Sequence, residues 1–302
     1  MMHLNQDFLR GSFTPLITPF KDGEVDFDCY ERLVDRHIDA GGHGVVVNGT
    51  SAEPSTLTID ERNALVKRAL EVAAGRTSVV AATGSQSLKE TQALTEFASE
   101  AGADALLVVT PYYIRPPQRG LIAYYLEVAK VTDLPFMIYH IPGRAAVSMN
   151  LDSFIAIAEA TPQFVGMKQA VNDLGFVTEC LHHFGKDFRI FVGLEELSFH
   201  MLSIGACGVM NAVGNIAPRE VAELYDVCAR MDFAAGRKLH YELFELNRAV
   251  FYDTNPIPIK YMMKRLGLLH ENEHRLPMLP ATAELAERLD EVLEAAGLMR
   301  MT

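Results

Sequence analysis

Lys168 is the residue whose surroundings point most directly to chemistry, because it stands in the apolar run 164–170. Burial of a lysine disfavours its charged form, and a neutral amine is a nucleophile whose usual role is a Schiff base with a carbonyl substrate. The alternative is that Lys168 ends a strand and extends its ammonium into solvent. The pattern therefore predicts either an imine-forming lysine or a surface cation.

Other side chains with suitable chemistry follow apolar runs elsewhere in the chain. Tyr139 carries a phenol that can move protons to and from a carbinolamine and the substrate. Hydroxyl and backbone N–H groups at residues 49–51 form a polar turn able to hold a carboxylate, and Arg144 offers a planar fork of donors for a second one. Each of these features is common in proteins without catalytic function. They indicate an active site only if the fold brings them close to Lys168.

Short apolar, β-branched runs alternate with amphipathic segments, which is typical of βα units around a parallel sheet. Eight such runs predict an α/β fold, the (β/α)8 TIM barrel. Reactive groups in these barrels stand at the carboxyl ends of the strands and in the loops that follow, where Lys168 and Tyr139 are found. The predicted strands cover residues 11–20, 44–48, 78–83, 105–110, 135–140, 164–169, 188–193 and 208–213.

The segments between the runs carry helical spacing. Residues 60–73 place apolar side chains on one face, begin with acidic residues and are followed by Gly75, and residues 88–102 repeat this plan. We therefore predict a barrel over residues 1–230 and a C-terminal helical extension over residues 231–302 that packs on it. Later helices are predicted at 218–230, at 232–250, after Pro258 and at 281–296.

The overall composition is that of a globular protein. Hydrophobic residues make up 49% of the 302 residues and charged residues 22%, so a sizeable core can form. The net charge of −12 opposes a general affinity for nucleic acid or anionic membranes. No segment has the length and apolarity of a membrane span, and the N-terminus lacks a secretory signal, so we expect a cytoplasmic protein. The four cysteines form no C-x-x-C pair and are expected to be reduced thiols.

Five short motifs are distributed along the chain. They are Gly49-Thr-Ser-Ala-Glu53, Thr110-Pro-Tyr-Tyr-Ile-Arg-Pro116, Tyr139-His-Ile-Pro-Gly-Arg144, Gly166-Met-Lys-Gln-Ala170 and Asn255-Pro-Ile-Pro-Ile-Lys260. In this order they resemble the G-T-T-G-E, T-P-Y-Y-x-x-P, Y-N-x-P-x-R, G-x-K-E/D and N-P-x-P-x-K motifs of the dihydrodipicolinate synthase and N-acetylneuraminate lyase family. The members of this family are class I pyruvate-dependent aldolases. The resemblance covers almost the whole chain, and the last motif is typical of the synthase branch.

The resemblance implies a role for each matching position. Lys168 is expected to form the imine with pyruvate, and Tyr139 to relay protons. Thr50 is expected to link Tyr139 to Tyr113 of a second subunit, which implies a homodimer or homotetramer. The covalent imine implies no metal and no other cofactor. The implied substrate-binding positions are Thr50 and Ser51 for the pyruvate carboxylate, Arg144 for the aldehyde carboxylate, and Gly193 and Met210 beside the pyruvyl group.

The implied reaction is the condensation of pyruvate with L-aspartate 4-semialdehyde in lysine and diaminopimelate biosynthesis. An alternative keeps the imine but makes the chain a catabolic aldolase or dehydratase of a 2-oxo acid, such as a 2-keto-3-deoxy sugar acid or 4-hydroxy-2-oxoglutarate. His140, Ala145 and Gln169 depart from the family motifs. We expect these three residues to lie beside the second-substrate pocket and to set its specificity.

Other residues depart from the family motifs in the turn that follows Gly49 and at positions linked to inhibition by lysine. Ala52 stands where the family has a glycine, which raises the question of whether the turn needs a positive φ. Pro54, Ser55, Ile59 and Arg62 occupy the positions where lysine-sensitive members carry a serine-alanine pair and two histidines. An ammonium ligand would meet Arg62 rather than a neutral imidazole, so we expect no strong inhibition by lysine.

Two other classes of function compete with the imine hypothesis. One is a metal-dependent barrel, for which His43, His140, His182 and His183 are possible ligands, although no H-x-H or H-E-x-x-H spacing occurs. His182 and His183 are predicted on a helix, away from the carboxyl ends of the strands. The other is a barrel that binds or regulates without catalysis.

Overall fold

Eight parallel strands close into a barrel in the computed structural model, which describes residues 1–299. The barrel strands are β1 (Gly11–Pro15), β4 (Gly44–Val47), β5 (Ser78–Ala82), β6 (Ala105–Val109), β7 (Phe136–His140), β8 (Phe164–Gln169), β9 (Arg189–Val192) and β10 (Gly208–Val209), and the separate hairpin consists of β2 (Phe20–Lys21) and β3 (Glu24–Val25). Each barrel strand pairs with the next along the chain, and β1 closes the ring by pairing with β10. The predicted (β/α)8 barrel is therefore confirmed.

Two barrel strands, β1 and β10, are much shorter than predicted. The run 11–20 leaves the barrel after Pro15, and Phe20 pairs with Val25 in the hairpin. Pro15 and Pro19 both lack the N–H that a continuous ladder requires. The run 208–213 forms only two strand residues before a 3₁₀ turn at Ala212–Asn215. Both changes lie at the carboxyl end of the barrel, where the chain turns into the loops of the site.

Alternate strand residues divide the core into two layers, because successive side chains of a strand point to opposite faces. The outer layer, under the helices, includes Val45, Val79, Leu106, Ile138 and Ile190. The barrel interior includes Val46, Val80, Leu107, Met137 and Phe191. Tyr139 stands two residues after Met137 and therefore also points into the interior.

Helices surround the barrel and follow the strands. They are α1 (Phe27–Asp39), α2 (Ile59–Ala73), α3 (Leu88–Ala101), α4 (Gln118–Ala129), α5 (Pro142–Ala145), α6 (Leu151–Ala160), α7 (Leu174–Phe184), α8 (Ser198–Ser203), α9 (Pro218–Ala229), α10 (Phe233–Glu242), α11 (Phe244–Ala249), α12 (Ile257–Arg265) and α13 (Ala283–Ala295). The predicted helices 60–73 and 88–102 agree with α2 and α3 to within one residue. Thr58 and Glu61 form a capping box that explains where α2 begins. No helix within residues 1–299 is long and apolar enough to cross a membrane.

The C-terminal part is helical, as predicted, with one difference. The single helix expected at 232–250 is divided into α10 and α11 at Leu243, whose ψ of −7° differs from the usual α-helical value of about −42°. The proposed boundary between residues 230 and 231 falls between α9 and α10. The division into a barrel and an extension at that point stays a prediction. All four cysteines are buried and free.

Candidate active site

Lys168 and Tyr139 stand side by side at the carboxyl ends of neighbouring strands. The strand register pairs Tyr139 on β7 with Lys168 on β8, and the Lys168 Nζ lies 4.4 Å from the centre of the Tyr139 ring. Lys168 is 4% exposed, so the alternative of a solvent-exposed ammonium is wrong. A buried amine beside the ring of a tyrosine is an arrangement suited to imine chemistry, in which the amine acts as the nucleophile and the phenol as a proton donor.

The chain forms a tight turn directly after β4. Residues Thr50–Ala52 make one turn of 3₁₀ helix, and the Oγ1 of Thr50 lies 3.3 Å from the hydroxyl of Tyr139. The positive φ of this segment, 55°, belongs to Glu53 and not to Ala52. The alanine that replaces a glycine of the resembled motif therefore imposes no left-handed backbone at its own position.

Two cavities open above these groups, and both are lined by Thr50, Tyr139 and Arg144. The smaller, of about 50 Å³, is also lined by Lys168 and Ser51, and its volume suits a molecule of a few heavy atoms. The larger, of about 560 Å³, opens toward solvent. Arg144 is exposed and makes no ion pair within residues 1–299. Its guanidinium is therefore free to bind an anion at the mouth.

Gly193 and Met210 complete the smaller cavity. A Cβ at Gly193 would lie 2.9 Å from the Cε of Lys168, which leaves no room for a larger residue while the lysine keeps this position. Met210 is 1% exposed, and its N–H donates to the carbonyl of Val192 at 2.7 Å. The structure thus brings both predicted positions to the side of the lysine.

Tyr113 is a predicted site residue that the single chain does not bring to the others. Its side chain is 85% exposed and lines neither cavity, and no hydrogen bond joins it to Thr50 within residues 1–299. Its φ of 75° lies in the left-handed region, which costs a residue other than glycine about 1–2 kcal/mol. A strained, exposed tyrosine at this end of the barrel fits the expectation that Tyr113 acts in a second subunit.

His140 and Gln169, which the sequence analysis expected beside the second-substrate pocket, line neither cavity. The Nδ1 of His140 lies 2.7 Å from the Oε1 of Gln169, and its Nε2 accepts a hydrogen bond from the N–H of Met149 at 3.1 Å. Both side chains are buried outside the two cavities, because each follows an inward-facing residue and so points to the outer layer. Burial lowers the pKa of His140, which favours the neutral ring. Ala145, the third residue of this group, does line the larger cavity.

Comparison with known proteins gives the family. The sequence model of the dihydrodipicolinate synthetase family matches residues 8–296. The chain belongs to this family.

Members of the dihydrodipicolinate synthetase family resemble the chain in both sequence and structure. A 4-hydroxy-tetrahydrodipicolinate synthase from Thermus thermophilus is 43% identical over 291 residues, which cover 96% of this chain and 97% of the relative. The crystal structure of dihydrodipicolinate synthase from Aquifex aeolicus superposes with a TM-score of 0.94 at 38% identity, covering 96% and 98% of the two chains. The chloride-inhibited enzyme from Acinetobacter baumannii, complexed with pyruvate, gives a TM-score of 0.93 at 34% identity, covering 96% and 100%.

Glu195 is a site residue to which the sequence assigned no role. It is 1% exposed and lines the smaller cavity together with Lys168. Its Oε1 accepts the N–H of Ala212 at 2.6 Å, whereas its Oε2 has no partner within residues 1–299. Burial raises the pKa of this carboxyl to about 7. The sequence could have pointed to Glu195 through its position just after the seventh strand of the barrel. It does not show, however, that the side chain is buried at that position.

Replacing Glu195 with glutamine is expected to make stability less dependent on pH. The unfolded carboxyl titrates near 4.5 and the folded one near 7, so the folded state binds the proton more tightly. Wild-type stability then falls as the pH rises through this window, by roughly 3 kcal/mol at most, and glutamine removes that loss. Melting temperatures at about pH 5 and about pH 8 measure the difference. The exposed neighbour provides the control Glu196→Gln, and equal pH dependence in Glu195→Gln and wild type would contradict the prediction.

The histidines considered as metal ligands do not converge. His43 pairs with Asp226 at 3.2 Å, and His140 is held by Gln169. His182 and His183 lie in the last turn of α7, as predicted. Within residues 1–299 no three His, Cys, Asp or Glu side chains are grouped so as to hold a metal ion. Lys168, Tyr139, Thr50, Ser51 and Arg144 of the imine hypothesis, by contrast, line one cavity.

Proposed function

We propose that the chain is a class I, Schiff-base lyase that condenses pyruvate with L-aspartate 4-semialdehyde, as a 4-hydroxy-tetrahydrodipicolinate synthase does. The observation that carries this proposal is the buried Lys168, whose Nζ lies 4.4 Å from the Tyr139 ring. The relative from Thermus thermophilus carries the name of this enzyme at 43% identity. We place the reaction in the cytoplasm, as a step of lysine biosynthesis.

The proposed chemistry begins with the amine of Lys168. It adds to the C2 carbonyl of pyruvate to give a carbinolamine, and loss of water leaves the imine. Tyr139 donates the proton that leaves with the hydroxyl, and Thr50, 3.3 Å away, exchanges protons with the phenol. The imine accepts the electrons of a C3–H bond, and the phenolate that dehydration left on Tyr139 takes up the C3 proton. The resulting enamine carbon attacks the aldehyde carbon, whose oxygen receives that proton back from Tyr139. The amine of the aldehyde substrate then displaces Lys168 from the imine, which closes the ring and frees the enzyme. Because the imine accepts the electrons of the C3–H bond, we propose that no metal or other cofactor takes part.

Two separate carboxylate sites orient the two substrates in this proposal. Thr50 and Ser51 line the smaller cavity with Lys168 and are assigned to the carboxylate of pyruvate. Arg144 lies at the mouth shared by both cavities and is assigned to the carboxylate of the aldehyde. The larger cavity, with Ala145 in its wall, then receives the second substrate.

A second copy of the chain is part of the proposed site. Tyr113 is 85% exposed in the single chain, and its neighbour Ile114 is 59% exposed. Two adjacent apolar side chains at the rim of the site are suited to burial in an interface. We propose that each protomer contributes Tyr113 to the Thr50 of its partner, in a homodimer or a tetramer built from two such dimers.

Turnover with defined substrates tests the proposal. The protein, pyruvate and L-aspartate 4-semialdehyde are combined, and the cyclic product is detected by coupling to its reduction. Turnover at rates of about 1–1000 s⁻¹ is expected. Absence of turnover, together with cleavage or dehydration of a 2-keto-3-deoxy sugar acid or 4-hydroxy-2-oxoglutarate, would establish the catabolic alternative instead.

The activity is also expected to survive exhaustive chelation. Loss of activity after chelation would contradict the proposal that no metal takes part in the mechanism.

Lysine is expected to inhibit the enzyme weakly. Arg62 is 5% exposed in the wall of the larger cavity, where it donates to Glu90 at 3.3 Å and to the carbonyl of Ala82 at 3.2 Å. This fixed guanidinium repels the ammonium groups of a lysine ligand. A coupled assay should show no half-maximal inhibition below about 1 mM lysine. The variant Arg62→His removes the fixed charge and should be more sensitive, and submillimolar inhibition of the wild type would overturn the prediction.

A further inference from the structure

Glu53 is the centre of a buried ionic cluster that directly follows the Thr50–Ala52 turn. Its Oε1 accepts a hydrogen bond from the Nζ of Lys260 at 2.9 Å, and its Oε2 lies 3.3 Å from the Nδ1 of His274. The side chains of Lys260 and His274 are 0% exposed, and that of Glu53 is 1% exposed. We call these three residues the Glu53 cluster.

The C-terminal part of the chain supplies both partners of Glu53. Lys260 lies on α12, within the motif 255–260, and its Nζ lies 4.3 Å from the centre of the Phe20 ring. Asn255 of the same motif donates from Nδ2 to the hydroxyl of Ser51 at 3.1 Å. The C-terminal segment therefore holds the turn on both sides of Ala52, through Ser51 and through Glu53.

Stability alone is a poor explanation for such a cluster. Moving two charges out of water often costs more free energy than their mutual attraction supplies. A buried ion pair therefore seldom makes the fold more stable than apolar residues of similar size would. Glu53 also holds a left-handed backbone, with φ of 55°, which is unfavourable for a residue other than glycine. Backbone strain that the surroundings maintain is concentrated at functional sites.

We propose that Glu53 and Lys260 are positioning residues for pyruvate, which hold the turn so that the hydroxyls of Thr50 and Ser51 meet the substrate carboxylate. The inference rests on the proposed function, in which this turn binds pyruvate. Lys260 lines neither cavity, so it acts through Glu53 and the backbone of the turn. A misplacement of about 1 Å at such a turn is expected to weaken productive pyruvate binding by up to roughly 100-fold.

The charge-neutral double variant Glu53→Gln, Lys260→Met tests this inference. It removes the charges of Glu53 and Lys260 together, so neither of these two is left buried without the other. The pyruvate concentration that half-saturates borohydride trapping on Lys168 is expected to rise roughly 10- to 100-fold. Glu53 also lines the larger cavity, but glutamine keeps its shape there, so the KM for the aldehyde, which Arg144 binds, should change by less than about threefold. A purely structural role would lower the melting temperature without separating the two substrates.

A second ion pair on the same helix provides the matched control. Arg265 donates to Asp290 at 2.8 Å, but these side chains are 43% and 29% exposed. The double variant Arg265→Met, Asp290→Asn removes the same kind of pair from α12 and should leave half-saturation by pyruvate unchanged.

The outcomes separate this inference from the function on which it rests. The inference is overturned if the double variant melts cooperatively and its borohydride trapping is half-saturated at the same pyruvate concentration as in the wild type. If that variant does not fold, the measurement is made on Glu53→Asp, which keeps the carboxylate but shortens the side chain by one methylene. An unchanged half-saturating pyruvate concentration in Glu53→Asp also overturns the inference. Failure of the wild type to trap pyruvate would instead remove the proposed function, and the inference with it.

Discussion

The variant Lys168→Arg is expected to lose turnover by at least roughly 10⁴-fold, the scale seen when a covalent nucleophile is removed. Arginine keeps the positive charge near the Tyr139 ring, but its guanidinium stays protonated and does not form an imine. Electrospray mass spectrometry after incubation with pyruvate and borohydride measures the covalent step directly. The wild type should gain one reduced pyruvyl group on the peptide that contains Lys168, and the variant should gain none.

The control for this experiment is another lysine. Lys186 is exposed and precedes β9, at the end of the barrel opposite the site, so Lys186→Arg should keep wild-type turnover and trapping. A reduced pyruvyl adduct on a residue other than Lys168 in the wild type, or trapping that persists in Lys168→Arg, would remove the proposed mechanism.

The variant Tyr139→Phe is expected to lower kcat by roughly 10²- to 10⁴-fold, the usual contribution of general acid-base catalysis. Phenylalanine keeps the ring over which Lys168 lies but removes the hydroxyl that stands 3.3 Å from Thr50. The proton steps of imine formation should therefore slow down, while the ring and the carboxylate-binding turn remain. Rapid-quench borohydride trapping should show a full final yield of adduct that forms more slowly than in the wild type.

A tyrosine outside the site provides the comparison for Tyr139→Phe. Tyr241 is 68% exposed on α10, and Tyr241→Phe should leave kcat and the rate of trapping unchanged. If Tyr139→Phe retains kcat within about threefold of the wild type, Tyr139 is not the proton relay.

The pairing of Lys168 with Tyr139 could be predicted from the sequence. Each residue ends an apolar run, and parallel strands of a barrel end at the same rim, so residues at the ends of adjacent runs are neighbours. The helices α2 and α3 were predictable for a related reason, because their apolar spacing and their end signals are local. The extent of β1 and β10 was harder to predict, since apolar residues continue into the loops beyond the ladder.

The orientation of His140 and Gln169 could not be predicted in the same way. Strands of a parallel barrel are buried on both faces and read as continuous apolar runs, so the sequence does not show which face a given residue takes. A shift of one residue moves a side chain from the interior to the outer layer. His140 directly follows the inward Tyr139, and the structure places it against Gln169 under the helices.

The sequence by itself determined the βα repeat, the place of Lys168 and Tyr139 at the ends of neighbouring strands, and the resemblance to a family of pyruvate-dependent aldolases. These features depend on local patterns and on short motifs. The tertiary structure alone decided that Glu195 is buried beside Lys168, that Tyr113 is exposed, and that Lys260 meets Glu53 across 207 residues of chain. The reason is physical: the ionisation and position of a polar group depend on desolvation and on partners that only the folded chain brings together.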